Sequence, residues 1–494
     1  MVRRTLSGVR ETGFAYQAVY RYLTHLINES ANDERIRLPS LRQLADRLSV
    51  SISTIQYAYS LLEKEGRVYS VAKSGYYALP VSSIDTLVGG RDLLETVYVN
   101  ARRPAMLVLS ADEPTLLQPL DSPLLLLERE LLRQYPRQPQ SCAQPCGELE
   151  LRAALAARYT TSPQRCWHAD EVYIGADLRG VLDILIAVLG LRHKTVVVES
   201  PCDWTILRLL QAAEVQVIEL LVRADGSLDV DSLKQILEVK SVQLVLLSSR
   251  LNMPRGSLAP DDNRQAIAQL LEQHGSWVLE NDCHGELGFE PDGLRFRDLL
   301  NPDRLIVFST FEKVIGPEAP YGYVLSRHLR VELQRQFLLR SFRLSPFRQK
   351  AIARLYSNGR IDQHLQVLRR LLKDRSVQMT HLLHERLGDA LQIVEPQGGA
   401  TLWVRSLRQV DIRRVFQRLL QRHVLIAPGE LFSLQDLHGQ HLRLSTPLVA
   451  IMTWPPHWDF WAMRCAWNRS TEQGGSTLIE WPWIDPIALW SNCQ

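Results

Sequence analysis

The chain has 494 residues, which exceeds the size of one ordinary domain and predicts two or three. Hydrophobic residues make up 46% and charged residues 22%, a composition that excludes a disordered or collagen-like chain. The net charge of +3 is uninformative, but residues 1–80 hold eleven Lys and Arg against seven Asp and Glu, a local balance of 11 − 7 = +4. A basic N-terminal region on a near-neutral remainder suits a nucleic-acid-binding module.

Cysteine spacing and apolar runs bear on metal sites and location. The seven cysteines form no CxxC pair, and no histidine lies at zinc-finger spacing beside Cys142 and Cys146, so we expect reduced thiols and no metal site. The segment MVRRTLSGVRETGF lacks the apolar core of a signal peptide. The run LLLL at 124–127 is too short to cross a bilayer. These features predict a cytoplasmic protein that does not act at a membrane.

The first part of the chain predicts three helices. Between residues 14 and 27 apolar side chains recur on one helical face. Ser40 and Gln43 have the spacing of a capping box, which begins a second helix that ends near Ser49. Ser51 is the predicted N-cap of a third helix, which follows the second almost at once.

A hairpin follows the third helix. The sequence RVYSVAKSGYYALP at 67–80 places two β-like runs around a Lys-Ser-Gly turn. Three helices followed by a two-stranded wing is the order of a winged helix-turn-helix domain, whose third helix enters the major groove of double-stranded DNA. The predicted DNA-binding residues are Ser40, Arg42, Arg47, Ser51, Ser53, Thr54, Gln56, Tyr57, Lys73 and Gly75. Of these, the three cations are the expected phosphate contacts.

The remainder predicts an α/β domain. Residues 81–104 have turn residues and weak periodicity, which indicates a linker between residues 1–80 and a domain at 105–450. In that domain, near-continuous Val, Ile and Leu runs typical of a parallel sheet alternate with helical patterns. A long helix is predicted at 361–387 and a smaller α+β region at 391–450. The predicted strands begin at 172 and lie at 195–200, 215–221, 242–249, 276–282 and 304–310.

The C-terminal segment 451–494 differs in composition from the rest. It holds seven of the eleven tryptophans, in stretches such as WPPHWDFW and WPWIDP that do not predict an amphipathic helix. Two alternatives remain open for this tail. It is an interaction surface, since exposed tryptophan marks interfaces, or a scrambled end with no selected structure.

The N-terminal domain resembles the GntR family of bacterial regulators over PSLRQLADRLSVSISTIQYAYSLLEKEGRV. The resemblance implies that Arg42, the arginine of the P-S-x-R motif, contacts DNA together with the first turn of the third helix. Many relatives carry Arg or Asn in that turn, whereas the sequence SIST here is uncharged. Base recognition is therefore expected to depend on hydroxyl groups, on Gln56 and on apolar contact with thymine methyl groups.

The following domain resembles the fold-type I pyridoxal-phosphate (PLP) aminotransferases in the order of its motifs. A GntR-type head on such a body is the arrangement of the MocR subfamily of regulators. The resemblance implies a homodimer paired through the aminotransferase interface, with two heads that read two half-sites. The matching segments are QPCGELELRAALAARY (144–159), ESPCDW (199–204), LNMPRGSLAP (251–260), LENDCHGEL (279–287), STFEKVIGPEAPYGY (309–323), VLIAPGELFS (424–433) and HLRLS (441–445).

The resemblance also implies roles for individual residues. Lys313 stands at the position of the lysine that forms an aldimine with the cofactor. Thr310 replaces the phosphate-binding serine, and Gly175 and Ala176 stand at the turn that cradles phosphate. Arg443 stands where the family grips the carboxylate of a substrate, here a substrate or an effector.

Five positions depart from the family and predict an altered cofactor site. In three of them the family's residue type, or a similar one, lies one position away, at Asp282, Asn252 and Trp204. A neutral side chain cannot hold a pyridinium by charge, and loss of the phosphate arginine removes a contact of about 1.5–3 kcal/mol. The departures are Asn281 for the pyridine-binding aspartate, His284 for a tyrosine, Met253 for an asparagine, Pro320 for the phosphate arginine and Asp203 for the stacking aromatic.

Three functions follow from this combination of domains. The leading hypothesis is a DNA-binding transcription regulator whose body dimerises and senses PLP or a small amine or amino-acid effector. The second is an active aminotransferase with a DNA-binding arm, against which Asn281 argues. The third is a cofactor-free regulator whose body is a dimerisation scaffold, which the five departures favour.

Overall fold

The computed structural model describes residues 15–29, 37–64, 68–71, 75–78, 92–103, 106–134, 144–290, 293–340 and 342–446. The tail at 451–494 and Lys73 lie outside the described residues. Two compact units are present: Met1–Val108 with His423–Leu425, and Leu109–Arg422 with Ile426–Gln494. Within the described ranges, no helix combines the length and apolarity needed to cross a membrane.

The N-terminal unit contains the predicted winged helix-turn-helix. Ser40 caps α2 through the predicted capping box with Gln43, and Ser49 ends the helix in the left-handed conformation at φ 52°. Ser51 Oγ accepts a hydrogen bond from Thr54 N at 3.2 Å, which caps α3 as predicted. The elements are α1 (Ala15–Glu29), α2 (Leu41–Leu48), α3 (Ile52–Lys64), β1 (Val68–Val71) and β2 (Gly75–Ala78), the strands being antiparallel.

The core of this domain includes an aromatic residue that the sequence pattern did not predict. Tyr59 is fully buried in α3 beside Ile55 and Leu62, and it packs against Tyr76 of the wing with ring centroids 4.5 Å apart. Its hydroxyl donates to the carbonyl of Pro39 at 2.6 Å, immediately before α2. Tyr59 therefore connects α3 with the start of α2 and with the wing.

The segment predicted as a linker, 81–104, contains a helix that the sequence pattern did not predict. Helix α4 occupies Leu93–Ala101, where Val97 and Asn100 are buried. The Asn100 amide donates to the carbonyl of Thr96 within the helix at 2.7 Å. Strand β3 (Leu107–Val108) then pairs in parallel with a short strand at Val424–Leu425 of the same unit.

The second unit is built on a seven-stranded mixed sheet, which confirms the α/β prediction. Six strands run parallel and the seventh, at Gly322–Ser326, is antiparallel to both of its neighbours. The sequence pattern did not predict this strand. In spatial order the strands are β4 (Val172–Ile174), β12 (Gly322–Ser326), β11 (Leu305–Thr310), β10 (Trp277–Asn281), β7 (Val242–Ser248), β5 (Thr195–Ser200) and β6 (Gln216–Leu221).

Helices cover the sheet, and a smaller antiparallel sheet follows them. The helices are α5 (Asp121–Gln134), α6 (Leu149–Tyr159), α7 (Leu178–Val188), α8 (Trp204–Ala212), α9 (Val230–Val239), α10 (Asp261–Gln273), α11 (Phe296–Leu299), α12 (Arg330–Arg340), α13 (Pro346–Ser357), α14 (Arg360–Leu387) and α15 (Ile412–Leu420). The remaining strands are the hairpin β8 (Leu251–Asn252) and β9 (Ser257–Leu258), then β13 (Leu391–Val394), β14 (Thr401–Ser406), β15 (Val424–Leu425), β16 (Ala427–Pro428) and β17 (His441–Ser445). Strands β13, β14, β17 and β16 form the small sheet in that order.

The carboxyl ends of the parallel strands define one edge of the large sheet. Lys313 lies three residues after β11 and His284 three residues after β10. The turn before α7 reaches this edge because Gly175 and Gly322 permit close approach: Gly175 N donates to Gly322 O at 2.8 Å, and a Cβ on Gly322 would lie 2.6 Å from Asp177 O. In doubly wound folds this edge is where ligands bind.

Candidate functional site

Lys313 is held by a carboxylate of the chain. Its Nζ lies 2.5 Å from Asp112 Oδ1 and 3.2 Å from the Asp112 carbonyl, and both side chains are 13% exposed. Burial alone would lower the pKa of Lys313, but the charge of Asp112 outweighs it and raises that pKa above its usual value. The same pairing holds the pKa of Asp112 well below its usual range despite burial. The pairing with Asp112 therefore favours the ammonium form of Lys313, whose side chain is largely covered.

Arg443 reaches the same carboxylate from the small sheet. Its Nη1 lies 3.6 Å from Asp112 Oδ2, and its Nη2 donates to the carbonyl of Ser110. The guanidinium carbon lies 4.4 Å from the ring centroid of Trp204 and 4.9 Å from that of Phe432. Trp204 therefore stacks against an arginine in the described structure.

His284 completes a group that we call the Asp112 cluster: Asp112, Lys313, His284 and Arg443. The His284 Nε2 lies 3.7 Å from Asp112 Oδ2, with no hydrogen-bond partner among the described residues. Burial lowers the pKa of His284 to about 4, so the imidazole is neutral at pH 7. Asp203, the N-cap of α8, is half-buried nearby, and its pKa is raised by desolvation and by the charge of Asp112.

Asn281 and Asp282 differ in their surroundings at the end of β10. Because side chains alternate along a strand, neighbouring residues project to opposite faces of the sheet. Asp282 accepts hydrogen bonds from Ser249 and from Tyr159 at 2.6 Å, and Arg297 lies 3.1 Å away. The Asn281 amide oxygen instead accepts from the backbone N–H of Cys283 at 3.1 Å. Asp282 is thus part of a buried network of hydrogen bonds and ion pairs.

Asn252, the neighbour of Met253, is also engaged within the chain. Its amide donates to the carboxylate of Glu199 at 2.8 Å. Ser248 donates to the same oxygen of Glu199 at 2.7 Å. Asn252 therefore holds the carboxylate of Glu199 near the end of β5. At another departing position, Pro320 is exposed and supplies no charge.

The turn predicted to cradle phosphate carries its own carboxylate. Asp177 follows Gly175 and Ala176 and caps α7, where its side chain accepts from Gly180 N at 2.7 Å. Thr310 is buried, donates to the Tyr321 carbonyl at 3.3 Å and accepts from Glu312 N at 3.3 Å. The helix N-terminus, which favours an anion, is already paired with one.

In the N-terminal domain, the predicted contact residues lie mostly on the surface. Arg42 and Arg47 are exposed on α2, and the guanidinium of Arg47 lies 6.0 Å from the ring centroid of Tyr22. In α3, Gln56 and Tyr57 are exposed.

The predicted hydroxyl groups are exposed or half-buried and largely engaged within the domain. Ser40 serves the capping box of α2. The hydroxyl of Ser51 bonds those of Ser53 at 2.9 Å and Thr54 at 2.7 Å, so the first turn of α3 presents a small hydroxyl network.

The second strand of the wing begins at Gly75, whose φ of 117° favours glycine. Arg37 lies beside it: a Cβ on Gly75 would be 3.7 Å from Arg37 Nε. Arg37 is exposed and pairs through its backbone with Tyr77. It adds a cation at the wing that sequence analysis did not identify.

The body matches the profile of the aminotransferase class I and II family over residues 120–450, two thirds of the chain. The chain belongs to that family. Residues 15–77 match the gntR family of bacterial regulatory proteins, which gives this aminotransferase-family chain the domain order of the MocR subfamily. Pyridoxal phosphate is the cofactor that the family implies.

Similar proteins include transcriptional regulators and aminotransferases. The HTH-type transcriptional regulator YdcR of Escherichia coli (strain K12) is 27% identical over 87% of this chain and 94% of its own length. YjiR of the same organism, also named an HTH-type transcriptional regulator, is 25% identical over 88% and 95%. A multiple substrate aminotransferase from Thermococcus profundus shares the fold of the body, with a TM-score of 0.65, 20% identity and coverage of 79% of this chain and 96% of that one.

Asp112 is the residue that sequence analysis missed in this aminotransferase-family body. Its segment, LSADEPT, has a carboxylate directly after a short apolar run, but nothing in that pattern relates it to Lys313, 201 positions away. Tyr159 and Arg297, which hold Asp282, were missed for the same reason. The Asp112 cluster brings together three residues named from the sequence, Lys313, Arg443 and His284, around one that was not.

Proposed function

We propose that this chain is a transcription regulator that binds double-stranded DNA through its GntR-type domain, and that its aminotransferase-like body senses a small molecule without turning it over. The observation that carries the second part is the pairing of Lys313 with Asp112 at 2.5 Å. An amine must be neutral to attack a carbonyl carbon, and this pairing favours the ammonium form. The body therefore lacks a free nucleophile at the position where the family places one.

The side chains around Lys313 do not suit PLP in the arrangement described. A phosphate at the α7 turn would meet the carboxylate of Asp177 at a helix terminus that this carboxylate already caps. Asn281 cannot supply the charge that keeps a pyridine nitrogen protonated, and Asp282 is held by Tyr159 and Arg297. These features favour a body that binds an effector without PLP over both the PLP sensor and the active aminotransferase.

The Asp112 cluster supports a ligand class for the sensing function. Lys313 and Arg443 together hold a carboxylate that belongs to the chain, so an external carboxylate offers the same charge and hydrogen-bonding geometry. An amino acid or another small carboxylic acid is the proposed effector, and it competes with Asp112 for these two cations. Because Asp112 is covalently attached, an effector must displace it before it can bind.

We also propose that the chain forms a homodimer. Aminotransferase-like folds are commonly dimeric, and α5 and α12 of this chain expose large apolar side chains. Leu126 is 66% and Leu339 is 69% exposed. Two joined heads would read two half-sites of an operator. Sedimentation equilibrium of the full chain should give twice the mass of 56.5 kDa.

The experiment that tests the function starts from a pool of random DNA duplexes. Full-length protein is used to select duplexes, and the affinity for the selected sequence is then measured by fluorescence anisotropy with and without each amino acid. We expect one selected sequence that binds far more tightly than a scrambled duplex, and an affinity that changes with a carboxylate-bearing effector. Equal binding to selected and scrambled duplexes would contradict the regulatory function.

A further inference from the structure

A second cleft lies in the unit that holds the Asp112 cluster. It has a volume of about 760 Å³, and its walls come from the loop after β6, the β8–β9 hairpin and the small sheet. No member of the Asp112 cluster lines it. A cleft of this size accommodates a metabolite-sized molecule.

Three polar atoms in the walls of this cleft lack partners. Arg255 Nε, Ser257 Oγ and His441 Nδ1 are buried and make no hydrogen bond within the part of the chain that the structure describes. Arg255 and Ser257 are only 9% and 4% exposed. Buried polar groups are normally satisfied, so three unsatisfied ones in one cleft indicate a missing partner.

The charges indicate what that partner is. The Arg255 guanidinium donates to the carbonyl of Ala224 at 2.9 Å, and across the described ranges it has no carboxylate within 4.0 Å. Burial lowers the pKa of Arg255, and the charge of Asp225 opposes this shift. Asp225 Oδ1 already accepts hydrogen bonds from Ser227 N and Oγ at 3.0 and 2.7 Å. Arg255 is thus a buried cation with incomplete compensation.

The lining carries three carboxylates, Asp225, Glu290 and Glu395, and three cations, Arg255, Lys373 and Arg405, but in the described ranges no carboxylate lies within 4.0 Å of Arg255. Glu290 pairs with Lys373 at 3.2 Å, Glu395 lines the wall contributed by the small sheet, and Arg405 adds a further cation. His441 stacks on Trp403, with ring centroids 5.3 Å apart. Burial, His438, Arg405 and Arg255 lower the pKa of His441 to about 4, so its imidazole is neutral and can donate one hydrogen bond.

The geometry points to a binding site for a small molecule that carries an oxoanion, which accepts hydrogen bonds from Arg255, Ser257 and His441. Phosphate and carboxylate groups share the required chemistry, and the donors, a guanidinium, a hydroxyl and an imidazole, are those that bind either group. Apolar lining at Leu258, Phe289 and Val394 provides contact for the rest of the ligand. This site is separate from the function proposed for Lys313 and does not depend on it.

Titration calorimetry of the full chain with inorganic phosphate and with acetate tests the site. We expect saturable binding of at least one probe, and the preferred probe identifies the anion. Ser257→Ala and His441→Phe, which keeps a ring to stack on Trp403, should each weaken binding about tenfold, the effect of losing one hydrogen bond to a charged group. Arg255→Gln should weaken it further.

Two control variants separate this cleft from other anion sites. Arg335→Gln removes an exposed arginine of α12 and should leave binding unchanged. With inorganic phosphate as the probe, Lys313→Ala should also leave binding unchanged, whereas loss of phosphate binding in that variant would assign the anion to the Asp112 cluster and overturn the proposal. Absence of saturable binding by both probes would overturn it as well. So would unchanged affinity in Ser257→Ala and His441→Phe, with circular dichroism confirming that both variants are folded.

Discussion

The carboxylate of Asp112 lies 2.5 Å from the ammonium of Lys313, and the guanidinium of Arg443 lies 3.6 Å from its other oxygen. One internal acid thus engages the two cations for which the sequence motifs predict roles in binding a cofactor and a substrate carboxylate. The pairing is local, but its consequences extend to cofactor binding, ligand binding and the response of DNA binding to small molecules.

The first prediction concerns the contact between α2 and DNA. Arg42→Ala should weaken binding to the selected duplex and lower the slope of log affinity against log salt by about 0.9, the value for one phosphate contact. Arg42 is exposed, so the fold should be unaffected. Fluorescence anisotropy over a salt series measures the slope. The control Arg370→Ala, at an exposed residue of α14, should leave it unchanged, and an unchanged slope in Arg42→Ala would remove Arg42 from the phosphate contacts.

The second prediction concerns the buried network around Arg297. This arginine bonds Glu280, lies 3.1 Å from Asp282 and stacks over Tyr159 with 4.5 Å between the guanidinium and the ring centroid. Arg297→Ala leaves two buried carboxylates without their cation and should cost about 3–5 kcal/mol in the free energy of unfolding. Urea unfolding measures this loss, and Arg335→Ala should cost less than about 0.5 kcal/mol. A loss as small as that of the control would show that Arg297 does not stabilise the fold by pairing with these carboxylates.

The third prediction is a pH dependence. Burial lowers the pKa of His438 to about 4, so between pH 6.5 and 4 the unfolded chain binds a proton at this residue that the folded chain does not. The free energy of unfolding must therefore fall as the pH falls through this window. His438→Phe should reduce the slope by about 1.4 kcal/mol per pH unit, measured by urea unfolding at several pH values.

The exposed His381 offers a matched control for this measurement. His381→Phe should leave the slope as it is in the unmodified chain, because it removes an imidazole that is not buried. If His438→Phe lowers stability equally at every pH, His438 does not titrate in the way its burial implies.

The fourth prediction concerns the phosphate turn. Serine is as good an N-cap as aspartate, so Asp177→Ser should preserve α7 while it removes one negative charge from the helix terminus. The affinity of the chain for PLP should then rise, as measured by equilibrium dialysis. Asp183→Ser removes an exposed charge further along the same helix and serves as the control. If Asp177→Ser and Asp183→Ser bind PLP with equal affinity, the charge of Asp177 does not affect phosphate binding.

The order of elements could be predicted from the sequence because short-range patterns determine it. The capping box at Ser40 and the apolar run TVVVES of β5 each carry their signal within a few residues. Strand β12 was missed although turn residues precede its sequence GYVLS, because its first two residues belong to the motif that contains Lys313. Helix α4 was missed because the surrounding turn residues suggested a linker.

The site could be predicted only in part, for a related reason. Lys313 and Arg443 were identified through motifs that resemble a known family, whereas Asp112 belongs to no such motif. Its partner Lys313 is 201 positions away, and only the folded sheet brings them together. Tyr59 likewise has its hydroxyl partner, Pro39, 20 positions away. Long-range pairings of this kind leave no periodicity for a sequence to display.

We propose that the ion pair with Asp112 keeps the amine of Lys313 from forming an aldimine with PLP. Asp112→Asn replaces the carboxylate with a neutral amide that no longer stabilises the ammonium, so this variant should release a reactive amine at Lys313. The decisive measurement is the absorption spectrum of the full chain and of Asp112→Asn, each incubated with PLP, with the double variant Asp112→Asn, Lys313→Ala as control. We predict an aldimine band in Asp112→Asn that is absent from the unmodified chain and from the double variant. An aldimine band of equal intensity in the unmodified chain would contradict the account.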